Sequence, residues 1–114
     1  MAEYTWYYNG EWLPRSQVKI DPVDRGFELG DAVFEGIRTY SGKGFRIKEH
    51  MDRLYRSLNY VRMDPGLSPE EMQEVVEEAI RRNESLRDEV GDLSVRPFVT
   101  RGPGRNTRTA GPPN

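Results

Sequence analysis

The sequence predicts an α+β domain, an antiparallel sheet with two helices packed on one face. Three observations predict it. Short aromatic and β-branched runs with period-two alternation fill the first 47 residues and return at 93–100, whereas 48–63 and 69–86 switch to helical spacing. Turn chemistry separates the runs: Asn9-Gly10, Ser41-Gly42-Lys43-Gly44 and Asp64-Pro65-Gly66. At 114 residues the chain has the size of one ordinary domain, with a core that needs no disulfide or metal to hold it.

Residues Tyr4 to Tyr8 favour a strand, and Asn9-Gly10 supplies a type I′ turn into Glu11-Trp12-Leu13, a β-hairpin. Gln17 to Ile20 reads as a short extended piece, ended by the turn residues Asp21-Pro22 and Asp24-Arg25-Gly26. Ala32 to Tyr40 is expected as one strand, turned back by 41–44 into Phe45-Arg46-Ile47. Met51, Leu54, Tyr55, Leu58 and Val61 then mark the first helix, which Asp64-Pro65-Gly66 stops. The second begins at Ser68-Pro69-Glu70-Glu71, where Ser68 caps and Glu71 can close a capping box, and its stripe is Met72, Val75, Val76, Ala79 and Ile80. Leu93 to Thr100 is the last strand. Residues 1–101 are thus assigned to the domain, and the Gly- and Pro-rich 102–114 to an interdomain loop or disordered tail.

There is no cysteine, so disulfides and thiolate chemistry are excluded, and a single histidine, His50, removes most zinc arrangements. The formal net charge of −2 argues against a nucleic-acid or membrane surface. Arg101, Arg105 and Arg108 form a small basic tail, but without interleaved aromatics to stack on bases. No leader-like or membrane-spanning run is present, which reads as a soluble, cytoplasmic protein.

The stretch DRGFELGDAVFEGIRTY, residues 24–40, carries the unusual chemistry. In a strand Phe34, Gly36, Arg38 and Tyr40 share one face, and Val33, Glu35, Ile37 and Thr39 the other. A glycine inside a strand weakens it and often marks close approach of another group. Phe, Gly, Arg in a row suits a wall for a small anionic ligand; a solvated face with a bulge at Gly36 is the simpler alternative. The last strand repeats the theme, with Ser94, Arg96, Phe98 and Thr100 on one face. On the first helix His50, Arg53 and Ser57 lie along one edge of the apolar stripe. Arg53 there either reaches a phosphate over the sheet edge or pairs with Glu49 or Asp52.

Together DRGFELGDAVFEGIR, EHMDRL and VRPFVTRG resemble the N-terminal small domain of the fold type IV, pyridoxal-phosphate-dependent (class IV) aminotransferases, over about Tyr4 to Gly104. That family includes branched-chain amino acid aminotransferases, D-amino acid transaminases and aminodeoxychorismate lyase. FEGIR and VRP lean toward the branched-chain members, whereas DRGFELGD is shared with the others. The resemblance implies transfer of an amino group between a branched-chain amino acid and 2-oxoglutarate. It gives Arg53 the cofactor phosphate, Phe34 the lining of the substrate pocket, Gly36 the space for the ligand, and Arg38 and Arg96 the substrate's carboxylate side. Leu29 stands where the family often has an aromatic and Ser94 where branched-chain enzymes usually have a tyrosine, which leaves the amino-acid specificity open.

Family members run to nearly three times this length, as homodimers, and their Schiff-base lysine lies in a large domain. Lys19, Lys43 and Lys48 match no such position, so no catalytic residue is assigned to this chain and it is expected to be a fragment, inactive alone. An alternative is a non-catalytic interaction module, with the aromatic hairpin YTWYYNGEW paired to another chain.

Overall fold

A computed structural model describes residues 3–103. The expected loop or disordered tail at 102–114 therefore lies, from residue 104 onward, outside the described residues, as do Arg105 and Arg108.

The hairpin forms as expected. Strands β1 (Thr5–Tyr8) and β2 (Glu11–Pro14) pair antiparallel, and Asn9 and Gly10 carry the positive φ values, 48° and 91°, that a type I′ turn needs. Residues Arg15–Gln17 form a 3₁₀ turn, so the expected extension begins only at Val18. The turn expected at Asp24-Arg25-Gly26 is instead the start of helix α1 (Arg25–Leu29). Asp24 caps it by accepting from the Gly26 amide at 2.7 Å, and Gly30 ends it at φ 68°.

The strand expected over 32–40 is divided into β3 (Ala32–Phe34) and β4 (Ile37–Tyr40), and that over 93–100 into β6 (Ser94–Val95) and β7 (Phe98–Thr100). The two long segments nevertheless remain antiparallel partners throughout. Val33 lies opposite Val99 and Ile37 opposite Val95, so four residues pass on each side with none inserted. The Glu35 amide bonds the Pro97 carbonyl at 3.2 Å within the gap. Pro97 has no N–H to return, which interrupts the ladder without changing its register. Gly36 is therefore not a bulge.

Strand β5 (Lys43–Gly44) pairs with β4 across the Ser41-Gly42 turn. It is shorter than expected: Arg46 takes a left-handed φ of 55°, and Ile47 already opens helix α2 (Ile47–Tyr60). The reason is packing. Ile47 comes over Gly44 so closely that a Cβ on Gly44 would clash with its Cδ1. Helix α3 (Pro69–Arg82) has the full capping box, with the Glu71 amide donating to Ser68 Oγ at 3.1 Å and the Ser68 amide to Glu71 Oε1 at 2.8 Å. A 3₁₀ turn (Glu84–Leu86) and helix α4 (Arg87–Val90) follow.

All described strands pair antiparallel, in three small groups, and α2 and α3 cover the face that carries Val33, Ile37, Val95 and Val99. The core joins Ile37 and Val99 to Met51, Leu54 and Leu58 of α2 and to Met72, Val76 and Ile80 of α3. The hairpin is fastened to the end of α3 by Asn83, which accepts from the Thr5 amide at 2.8 Å and donates to its carbonyl at 2.9 Å. Trp12 packs edge-on to Tyr7 and beneath the Arg82 guanidinium, so part of the aromatic surface offered by the sequence is used internally. No described helix is long and apolar enough to cross a membrane.

Two substitutions separate core from cap. Ile37→Ala, at a fully buried position, is expected to cost about 2–5 kcal/mol. Ser68→Ala is expected to cost about 1 kcal/mol by losing the cap. Urea denaturation measured on both variants checks the order.

Candidate functional site

The uninterrupted register fixes which side chains meet. Phe34, Gly36 and Arg38 all point away from the helices and are exposed, and Arg96 and Phe98 join them from the facing segment. Phe34 and Phe98 are cross-strand partners, stacked at 5.5 Å between centroids. The Arg96 guanidinium lies over the Phe34 ring at 5.0 Å. Around Gly36 the space a Cβ would enter is open. Arg38 lies opposite Ser94 on the same face, and among the described residues it makes no ion pair. The structure thus brings together four of the five residues singled out from the sequence, on one open, half-apolar, cationic face.

The fifth, Arg53, comes from the opposite side. It extends from α2 to Glu35, the residue between Phe34 and Gly36 whose side chain turns toward the helices. Its Nε and Nη2 donate to Glu35 Oε1 at 3.0 and 2.8 Å, and Nε also reaches Oε2 at 3.1 Å. The alternative of a pairing with Glu49 or Asp52 is not what forms, since Arg53 takes Glu35 and Asp52 is 3.5 Å from Lys48. His50, one turn earlier, places Nδ1 2.8 Å from the same Oε1. An ionised carboxylate only accepts, so Nδ1 carries the proton in this bond.

Glu35 is only 9 % exposed, whereas the Arg53 side chain is 60 % exposed. Burial alone raises the Glu35 pKa, but hydrogen bonds from Arg53 and His50, reinforced by their charge, outweigh it and hold the carboxyl below its ordinary value of 4.5. The same contact raises the pKa of Arg53. Sequence reasoning alone gives Glu35 and His50 no role. The available signal is a glutamate on the same strand face as Val33 and Ile37, because a carboxylate on a core face needs a cationic partner.

A second arginine cluster closes the end of the ribbon. Arg101 donates from Nε to Asp31 at 2.8 Å and from Nη2 to the Val61 carbonyl at 2.9 Å. Of the basic tail considered for nucleic acid, its first member is thereby committed inside the domain. Tyr55, on α2, donates to the Leu67 carbonyl at 2.7 Å, and burial, followed by the charges of Glu71, Asp64 and Glu70, pushes its hydroxyl up to about 12.

A family profile described as amino-transferase class IV matches residues 32–114. The chain is 45 % identical over 98 residues to a Methanocaldococcus jannaschii protein assigned as a branched-chain-amino-acid aminotransferase, covering 86 % of this chain and 32 % of that one. It is 38 % identical over 77 residues to D-alanine aminotransferase of Staphylococcus haemolyticus, covering 68 % of this chain and 27 % of that one. Among solved structures, the branched-chain aminotransferase of the thermophilic archaeon Thermoproteus uzoniensis, with norvaline, superposes with a TM-score of 0.75 at 28 % identity, over 87 % of this chain and 33 % of that one. A second branched-chain amino acid aminotransferase, that of Escherichia coli, superposes with a TM-score of 0.71 at 29 % identity, over 93 % of this chain and 36 % of that one. The fold is that of fold type IV aminotransferases. The chain belongs to the class IV aminotransferase family. It spans about a third of the length of the curated relatives it matches.

The depressed Glu35 pKa has a sign. The carboxylate pairing stabilises the folded chain fully above the ordinary value of 4.5 and is lost as pH falls through the lower folded value. Thermal midpoints of the wild type are therefore expected to drop more steeply below pH 4.5 than those of Glu35→Gln, which has no carboxylate to titrate there. Parallel curves would contradict the pairing.

Proposed function

We propose that this chain is the small domain of a pyridoxal-phosphate-dependent aminotransferase that exchanges the amino group between a branched-chain amino acid and 2-oxoglutarate. The observation that carries the proposal is the arrangement around residues 34–36. A fixed guanidinium lies on the helix side, and an aromatic, cationic wall lies on the other. A phosphate suits Arg53, because Glu35 uses Nε and one hydrogen of Nη2, leaving the Nη1 donors and the solvent-facing end of the guanidinium for another anion. When bound, the cofactor supplies an electrophilic carbon and an electron sink for the amino-acid substrate.

In this reading Arg53 holds the phosphate, Phe34 lines the substrate pocket, and Gly36 leaves space for the ligand beside it. Arg38 and Arg96 attract the carboxylates of the amino acid and the 2-oxo acid. The reacting lysine belongs to a large domain, and the working enzyme is a homodimer. Lys19, Lys43 and Lys48 are all exposed, and none has the dry surroundings that turn a lysine into a nucleophile. Residues 1–101 are the small domain, and alone it does not transaminate.

A D-amino acid transaminase is the second reading. It is favoured by the similarity to the staphylococcal D-alanine enzyme and by Ser94 standing where branched-chain members usually have a tyrosine.

Joined to a class IV large domain, the chain is expected to transaminate L-leucine, L-isoleucine and L-valine with 2-oxoglutarate, and Arg96→Ala to raise KM more than it lowers kcat. Preference for D-alanine would select the second reading, and inactivity toward all four amino acids would overturn both. For the chain alone, borohydride reduction after incubation with pyridoxal 5'-phosphate is expected to leave no stoichiometric pyridoxyl adduct by mass spectrometry.

A further inference from the structure

We infer that Glu35 is the positioning residue of the phosphate subsite, locking the Arg53 guanidinium by its Nε edge so that the terminal edge is presented to a phosphate monoester. The inference rests on Arg53 taking that phosphate, as proposed above.

Four features of the geometry carry it. The carboxylate engages Arg53 side-on, through both Nε and Nη2, which fixes the plane of the guanidinium as well as its position. Glu35 is itself held by burial and by a separate donor, His50 Nδ1 at 2.8 Å, so it does not follow Arg53 if the arginine moves. The two donor side chains, His50 and Arg53, rise from one face of α2, one turn apart, and converge on a single oxygen. The arginine nevertheless stays 60 % exposed, with its distal end toward solvent.

A flexible arginine must be immobilised when it binds an anion, and an arginine already clamped has lost that freedom on folding. Electrostatics alone predicts the reverse effect. Glu35 is a negative charge near the place a phosphate would occupy, and removing it would tighten anion binding. The sign of the change therefore separates positioning from simple charge. Glutamine keeps one accepting oxygen but loses the charge, so Nε, Nη2 and His50 Nδ1 converge on a neutral acceptor and an N–H group takes the place of Oε2 facing Nε. Aspartate keeps the fork on a shorter arm.

The test is the affinity of the chain for pyridoxal 5'-phosphate and for inorganic phosphate, with pyridoxal as the phosphate-free control, read by calorimetry on wild type, Glu35→Gln, Glu35→Asp and Arg53→Gln. Glu35→Gln is expected to bind both phosphate compounds about three- to tenfold more weakly, with pyridoxal unchanged and with Glu35→Asp recovering part of the loss. Equal or tighter phosphate binding by Glu35→Gln, where Arg53→Gln abolishes it, would overturn the positioning role and leave the phosphate reading standing. Absence of phosphate-dependent binding in the wild type, or its persistence in Arg53→Gln, would overturn the phosphate reading together with this one. Should Glu35→Gln lose the cooperative melting of the wild type, the nitrogen-15 signal of the Arg53 Nε–H in the wild type decides. It is expected to stay slow-exchanging and fixed through a phosphate titration, and loss of that protection on adding phosphate would refute the clamp.

Discussion

The constraint on which the rest depends is the register between residues 32–40 and 93–100. Thr39 pins it. Its amide bonds the Leu93 carbonyl at 2.9 Å, its hydroxyl accepts from the Leu93 amide at 2.7 Å, and the same hydroxyl donates to Asp92 at 3.1 Å. Thr39 and Ile37 are fully buried, and Arg38 and Tyr40 beside them are exposed. A slip of one residue would press Arg38 into the helices and release Ile37 to water, exchanging every side chain between the two faces. Because β3, β4, β6 and β7 keep one register through the gap at Pro97, a pin at one end of the ribbon sets the aromatic pair at the other.

That register keeps apart two chemistries that lie within three consecutive residues. Phe34 and Gly36 turn outward to the Arg96 and Phe98 side, while Glu35, between them, turns inward to α2. The carboxylate can sit 9 % exposed among apolar neighbours only because α2 supplies Arg53 and His50 at the point where it enters. The apolar stripe of α2, with Met51, Leu54 and Leu58 in the core, fixes the rotation of the helix. Core packing thereby aims the guanidinium, and Glu35 fixes its plane.

How much of this is legible in the sequence follows from which signals are local. The two faces of each strand can be read because side-chain alternation needs no partner, and the capping box at Ser68 and the Asn9-Gly10 turn can be read because each lies within a few residues. Helix α1 reads as a turn, since five residues are too few for a period, although Asp24 and Gly30 mark its two ends. Phe45 to Ile47 looks like a returning strand because what bends it, the packing of Ile47 on Gly44, is tertiary. Glu35 is visible as an anomaly. Its partners are not, because 18 residues and a change of secondary structure separate it from Arg53.

The chain also contains its own contrast between an arginine whose donors are all engaged within the fold and one whose outer donors stay open. Arg101 and Arg53 both donate through Nε to a carboxylate, Asp31 in one case and Glu35 in the other. Arg101 then gives its terminal nitrogens to the Val61 and Arg62 carbonyls at 2.9 and 3.4 Å, and its side chain is 24 % exposed. Those carbonyls lie at the end of α2, where helical partners run out, so Arg101 acts as a cap and both of its edges are engaged. Arg53 engages its inner edge in the same way and leaves its outer edge uncommitted at 60 % exposure. Both arginines are thus held through Nε by a carboxylate, and of the two only Arg53 keeps its outer donors open to solvent.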